Sequence, residues 1–105
     1  MVTIVTEVQL KKGTGPKWDE LMHERMAAAK EHPGWIGGQL LQPDHDPQRR
    51  MIVGTWRSRD DWQAWHTDAR FQASRTRLDQ LVHGPEVHSW HEVVLEVRRA
   101  GDGAA

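Results

Sequence analysis

The stretch VTIVTEVQLKKGTGPKWDELMHERMAAA, residues 2–29, changes its hydrophobic period from two to about 3.6 across a glycine-containing turn. Alternate residues from Val2 to Leu10 share one face, and β-branched residues dominate, which predicts a strand. Pro16 suits the first position of a helix. After it, one helical stripe of apolar residues is formed by Trp18, Leu21, Met22, Met26 and Ala29. The chain is therefore expected to open with a strand followed by a helix.

The sequence after this first unit supplies two strands, a second helical region and a last strand. The predicted strands are residues 35–42, 50–56 and 87–97, and the helical segments lie between residues 58 and 82. Gly37 and Gly38 interrupt the first of these strands, which indicates a bulge or a close approach. Ser58 and Asp61 form a weak capping box before the helical region. The β-α-β-β-α-β order predicts an α+β, ferredoxin-like antiparallel sheet with helices on one face.

Composition excludes several classes of protein. The 105 residues suffice for one domain, which we assign to residues 1–97, and we expect the polar tail at residues 98–105 to be disordered. A net charge of −1 offers no positive field for nucleic acid or an anionic membrane. Cysteine is absent, and no apolar run reaches the length of a membrane span. These features predict a cytoplasmic protein without nucleic-acid or membrane partners.

The predicted sheet carries apolar residues on both of its faces. Along the third strand, Met51 and Val53 alternate with Ile52 and Trp56. Two helical regions cover only one face of a four-stranded sheet, so the other face needs a second cover. A copy related by a twofold axis supplies it most simply, and the sequence therefore predicts a homodimer.

Aromatic residues are the first candidates for a binding site, because six tryptophans accompany a single phenylalanine. Trp62 and Trp65 share one side of the second helical region, and Trp56 precedes it. With Phe71 they form either ordinary core or an apolar pocket for a planar aromatic ligand. Arg75 lies on a solvated helix face or, if it turns inward, binds a substrate carboxylate.

Histidine is the candidate for acid–base chemistry, because an imidazole exchanges protons near neutral pH. His66 ends the tryptophan-containing stretch, and His23 lies in the first helix. His83, His88 and His91 are close in sequence, but residues 88 and 91 point to opposite faces of a strand, so no metal site is expected. The sequence contains no Ser-His-Asp arrangement, phosphate-binding glycine loop or H-E-x-x-H run. Hydrolase and nucleotide-binding functions are therefore without support.

The stretch TWRSRDDWQAW, residues 55–65, resembles the W-x-S-x-x-x-[FW]-x-x-W signature of the antibiotic biosynthesis monooxygenase superfamily. The HPGW segment at residues 32–35 and the strand at 92–97 agree in spacing, so the resemblance covers residues 2–97. It implies a dimeric α+β barrel with oxygenase activity. Within the superfamily, the chain looks most like the bacterial haem-degrading monooxygenases.

That branch uses an asparagine, a tryptophan and a histidine that ligates haem iron. Trp65 matches the tryptophan, but the asparagine position falls at Thr6 and the histidine position falls at Ser74 or Arg75. The chain contains no asparagine, and neither serine nor arginine is a suitable axial ligand for haem iron. Haem turnover would therefore need a displaced ligand such as His66.

The resemblance extends to a second branch, the cofactor-free oxygenases that oxidise polyketide phenols to quinones. Trp56 is similar in both, whereas the asparagine of that branch falls at Ile52 and its tyrosine at Trp62. The functional polar residues of both branches are therefore missing from a scaffold that is otherwise retained.

Three functions remain open at this point. The first is a cofactor-free monooxygenase that acts on a bulky aromatic molecule, with His66 or His23 as the base. Its predicted substrate-binding residues are Thr6, Trp56, Trp62, Trp65, Phe71 and Arg75. The second is haem degradation with a non-standard iron ligand. The third is a non-catalytic dimer that binds a hydrophobic small molecule.

Overall fold

The computed structural model describes residues 1–99 as four strands and three helices. In chain order the elements are β1 (Val2–Gln9), α1 (Gly15–Ala29), β2 (Trp35–Leu41), β3 (Arg49–Trp56), α2 (Arg59–His66), α3 (Ala69–Asp79) and β4 (Val87–Glu92). The second helical region is thus two helices. The first of them ends at His66. Asp68 then caps the next helix, because its side chain accepts a hydrogen bond from the Arg70 backbone N–H.

The sheet is antiparallel, with the strand order β2-β3-β1-β4. β1 is central, so Val5 pairs with Val53 on one side and with Ser89 on the other. Alternate β1 residues are buried, and they pack into clusters with residues of the helices. The predicted ferredoxin-like α+β fold, with helices on one face of the sheet, is confirmed.

Two hydrophobic clusters fill the space between sheet and helices. The first joins α1 and α3 to one end of β1 and contains Val8, Leu10, Trp18, Leu21, Met22 and Leu78. The second is aromatic and contains Ile4, Ala29, Trp56, Trp65 and Phe71. Three of the four buried aromatic side chains of residues 1–99 therefore lie in the second cluster.

Two of the predicted boundaries were wrong by three residues or more. The last strand ends at Glu92 rather than at residue 97. Glu92 already pairs with Val2, the first residue of β1, and after it the Val93 N–H donates to the Met1 carbonyl oxygen at 3.1 Å. The helical region ends at Asp79 rather than at residue 82, because Val82 forms an antiparallel bridge with Leu10.

The predicted disordered tail at residues 98–105 lies almost wholly outside the described residues, which end at residue 99. Within residues 1–99, no helix combines the length and the apolar character that a membrane span requires.

Candidate functional site

A pocket of about 90 Å³ lies between the sheet and the helices. Its sheet side includes Ile4, Thr6 and Trp56, because alternate residues of β1 and β3 face the helices. The other walls come from all three helices. We call this space the inner pocket.

The walls of the inner pocket are mostly aromatic. The Trp56 and Trp65 rings are stacked with centroids 6.5 Å apart, and Phe71 meets Trp65 edge-on at 5.8 Å. Trp62 packs edge-on against Trp90 of β4 at 4.7 Å. The structure therefore brings together the four aromatic residues that the sequence singled out, and such rings suit a flat apolar ligand.

His66 is the imidazole at the centre of this aromatic wall. Its ring lies 3.7 Å from the Trp62 ring and 4.1 Å from the Phe71 ring, measured between centroids. Nδ1 is 2.8 Å from the Trp62 carbonyl oxygen, and because a carbonyl can only accept, Nδ1 carries the proton and donates it. Burial lowers the pKa of His66, and the nearby charge of Arg25 lowers it further. A lowered pKa favours the neutral imidazole at neutral pH, and in the tautomer with the proton on Nδ1 the lone pair of His66 is on Nε2.

Thr6 is buried and lines the same pocket, where its Oγ1 lies 3.1 Å from Nδ1 of His88. The β1–β4 register places these residues directly opposite each other. Nε2 of His88 lies 3.4 Å from Glu86. Sequence reasoning missed His88 and Glu86 as pocket residues, because only the strand pairing reveals that His88 faces Thr6.

A second space of about 500 Å³ adjoins the inner pocket, and we call it the outer chamber. The two share six lining residues: Arg25, Trp62, His66, Phe71, Glu86 and His88. The predicted Arg75 lines the outer chamber, with its side chain 61% exposed and 3.9 Å from Asp79. The outer chamber therefore combines charged side chains with a direct connection to the aromatic pocket.

Arg25 was not predicted as a site residue, yet it lines both spaces. Its Nε donates to Ser74 Oγ at 2.7 Å, and its guanidinium lies 4.2 Å from the centroid of the Phe71 ring. A signal was present in the sequence, since Arg25 interrupts the apolar stripe of the first helix, three residues after Met22 and four before Ala29.

His23, the other predicted base, is not brought to the site. It is exposed on α1 and lines neither space, because the residues just before it, Leu21 and Met22, occupy the buried side of the helix. Among residues 1–99, no three His, Asp or Glu side chains converge in a metal-binding arrangement.

Comparison with known proteins assigns the family. Residues 1–77 match the sequence model of the family described as antibiotic biosynthesis monooxygenase. The chain belongs to the antibiotic biosynthesis monooxygenase family. The match covers β1 through most of α3 and therefore includes the helices that form the aromatic walls.

The proteins that are similar to this family member are named for different activities. The haem oxygenase (mycobilin-producing) of Mycobacterium tuberculosis is 29% identical over 104 residues, which are 98% of each chain. The cofactor-independent oxygenase SnoaB of Streptomyces nogalater has a similar structure, with a TM-score of 0.81, 16% identity and coverage of 93% of this chain and 97% of SnoaB. A structure from Nitrosomonas europaea reaches a TM-score of 0.85 at 17% identity, covering 90% of this chain and 100% of that one. The structural similarities establish the shared fold.

By resemblance, the histidine that ligates haem iron falls at Ser74 or Arg75, and neither position suits haem in this family member. Ser74 Oγ accepts a hydrogen bond from Arg25 and donates one to the Phe71 carbonyl oxygen at 2.7 Å. Arg75, the alternative position, is exposed and its guanidinium has no lone pair to offer. Neither side chain is a ligand for haem iron.

Proposed function

We propose that this family member is a cofactor-free monooxygenase that oxidises a bulky aromatic molecule in the inner pocket. The observation that carries the proposal is the position of the His66 imidazole in an aromatic wall, with Nδ1 2.8 Å from the Trp62 carbonyl oxygen. This contact leaves Nε2 as the nitrogen that accepts a proton, and burial lowers the pKa of His66. A general base of this kind needs both a fixed tautomer and a pKa below the working pH.

The proposed reaction begins with proton transfer from an acidic C–H or O–H group of the substrate to His66 Nε2. The resulting substrate anion is electron-rich and reduces molecular oxygen. For a methylene carbon the overall balance is CH₂ + O₂ → C=O + H₂O, so one oxygen atom enters the product and the other leaves in water. The aromatic walls exclude water from the reactive anion.

Pocket size limits which substrates can enter. The 90 Å³ of the inner pocket is less than the roughly 150 Å³ of an engineered cavity that binds benzene. A larger aromatic molecule would extend into the 500 Å³ outer chamber past Trp62, His66 and Phe71, which line both spaces. The reactive carbon of such a molecule would then lie near His66.

The proposal is tested by oxygen uptake with anthrone, a tricyclic carbon acid whose oxidation gives a quinone. We expect turnover in the wild type and a decrease of about 100-fold or more in His66→Gln, since general bases contribute about 10²–10⁴-fold. His23→Gln, which changes an imidazole outside both spaces, should keep wild-type turnover. Because burial lowers the pKa of His66, activity should persist below the ordinary histidine pKa of about 6.5.

Two outcomes would contradict this function. Unchanged turnover in His66→Gln would remove His66 as the base. Quenching of tryptophan fluorescence by anthrone without product, in the wild type, would favour the non-catalytic binding protein instead.

Haem degradation is the second candidate, and the 29% identity with the M. tuberculosis haem oxygenase favours it. Because Ser74 and Arg75 are unsuitable ligands, another residue would have to hold the iron. His66 is the candidate, since its Nδ1–H bond to a carbonyl is typical of ligating histidines. Haem titration of the purified protein tests this. A saturable Soret shift that is lost in His66→Gln would support the candidate, and the absence of a specific shift would exclude it.

We also propose that the protein is a homodimer. The outward positions of the central strands include Val5, Met51 and Val53, and the three helices lie on the opposite face. After β4 ends, the residues Val94, Leu95 and Val97 are 92%, 78% and 82% exposed. Exposed apolar residues that follow one another in a segment support a protein interface here, and a second copy would cover them.

A further inference from the structure

Arg25 is a mostly buried cation at the junction of the inner pocket and the outer chamber. Its Nε donates to Ser74 Oγ. Among residues 1–99, the hydrogen-bond partner of its Nη1 is the sulfur of Met22 at 3.9 Å, which is a weak acceptor. Among residues 1–99, no carboxylate forms an ion pair with this guanidinium within 4 Å. The end of the Arg25 fork is therefore left without a strong acceptor.

The acidic side chains of the outer chamber are engaged elsewhere. Asp79 lies 3.9 Å from Arg75, and Glu86 lies 3.4 Å from His88. Burial lowers the pKa of Arg25 to about 10, even though Glu86 and Asp79 oppose this effect from a distance. A buried charge that lacks a close counterion is costly, and an anion that enters the chamber relieves that cost.

We propose that Arg25 binds a carboxylate of the aromatic substrate, so that the site selects acidic over neutral aromatic molecules. This inference rests on the proposed function, which supplies the aromatic nature of the substrate. The planar guanidinium suits a carboxylate, because its parallel N–H groups can donate to both oxygens. Because Arg25 lines both spaces, a carboxylate bound to it would lie at their junction, and from there the ring system can enter the inner pocket.

The test is a binding measurement that does not depend on turnover. Anthracene-2-carboxylic acid and its methyl ester are titrated against the protein, and tryptophan quenching gives both dissociation constants. We expect the acid to bind about tenfold or more tightly than the ester in the wild type. In Arg25→Gln this ratio should fall to about one, while Arg77→Gln, a matched change on α3 at a residue that lines neither space, should keep it.

Arg25→Lys provides a second variant that keeps the charge and loses the planar fork, and we expect its ratio to fall several-fold. Thermal unfolding of each variant shows that it is folded.

An acid-to-ester ratio that is the same in the wild type and Arg25→Gln would overturn the inference. If the ratio depends on Arg25 but no aromatic acid or anthrone consumes oxygen, the carboxylate site stands and the monooxygenase function fails. If the wild type consumes oxygen but binds the acid no more tightly than the ester, the monooxygenase function stands and the carboxylate site fails.

Discussion

His66 is held in its neutral form by its surroundings. The Trp62 and Phe71 rings remove water from the imidazole, and Arg25 adds positive charge nearby, so protonation is disfavoured in the folded protein. The hydrogen bond to the Trp62 carbonyl opposes this effect without cancelling it. The same desolvation that prepares a base for proton transfer also makes the folded protein sensitive to acid.

This sensitivity gives a prediction for stability against pH. The pKa of His66 is lower in the folded state than in the unfolded state, so the unfolded chain binds more protons as the pH falls. The contribution of His66 to stability is fully present above about pH 6.5 and is lost as the pH falls through the folded pKa. We expect His66→Phe to lose less unfolding free energy than the wild type between pH 7.5 and 5, measured by urea denaturation.

The control for this measurement is a histidine outside the site. His23→Gln removes one imidazole from the exposed surface of α1, and its unfolding free energy should follow the wild-type pH dependence. A pH dependence in His66→Phe that is identical to the wild type would show that His66 is not desolvated.

At the residue scale, the sequence predicted the apolar part of the site better than its polar part. Trp62 and Trp65 share a face because helical spacing requires it, so their convergence could be predicted. His88 faces Thr6 only through the β1–β4 register, and sequence periodicity does not contain that register. Arg25 could have been found, since an arginine in an apolar helical stripe must meet some part of the interior.

At the element scale, the paired glycines of β2 have different roles. The register shifts between Trp35 and Gly37, which is the predicted irregularity. A Cβ atom at Gly38 would lie 2.5 Å from the Trp35 ring and 2.6 Å from the Met26 methyl group, whereas a Cβ at Gly37 would meet nothing within 4 Å. Gly38 is therefore the close approach, and it lets Trp35 lie edge-on to Trp56 at 5.3 Å.

This difference predicts opposite outcomes for two alanine substitutions. Gly38→Ala must displace the Trp35 ring, and overpacking of this kind costs about 1–3 kcal/mol. Gly37→Ala meets open space and should leave the unfolding free energy within about 0.5 kcal/mol of the wild type. Chemical denaturation of the two variants checks the prediction, and equal losses of stability would refute it.

The N-terminus of α2 positions the aromatic wall, and its cap was predicted from the sequence. Ser58 Oγ accepts the Asp61 backbone N–H at 3.2 Å, and its hydroxyl donates to the Asp61 carboxylate at 2.8 Å. The Arg57 and Ser58 hydrogen bonds lower the pKa of Asp61. Sequence could predict this cap because every partner lies within four residues.

Removing the cap should loosen α2. We expect Ser58→Ala to lower the unfolding free energy by about 1 kcal/mol, while Ser58→Gly, which suits the cap position better than alanine, costs less. Thermal unfolding followed by circular dichroism measures both changes. Equal or reversed losses in the two variants would mean that the Ser58 side chain does not stabilise the helix by capping.

At the scale of the whole molecule, the fold was predictable and the end of the sheet was not. The order of strands and helices along the chain follows from the hydrophobic periods and the turn residues, which are local properties of the chain. The last strand ends early because Glu92 pairs with the first residue of β1, which is a non-local fact. Among residues 1–99, the apolar residues predicted to continue that strand are therefore left exposed.

These uncovered residues give the prediction for assembly. If a second copy covers them, a charge placed at Leu95 is buried in the interface without a partner, and such a charge is strongly unfavourable. We expect the wild type to sediment as a dimer at micromolar concentration and Leu95→Asp to dissociate at least about tenfold more readily. Gln63→Asp adds the same charge to the exposed surface of α2 and should remain dimeric. A monomeric wild type would reject the dimer, and a fully dimeric Leu95→Asp would show that the segment after β4 lies outside the interface.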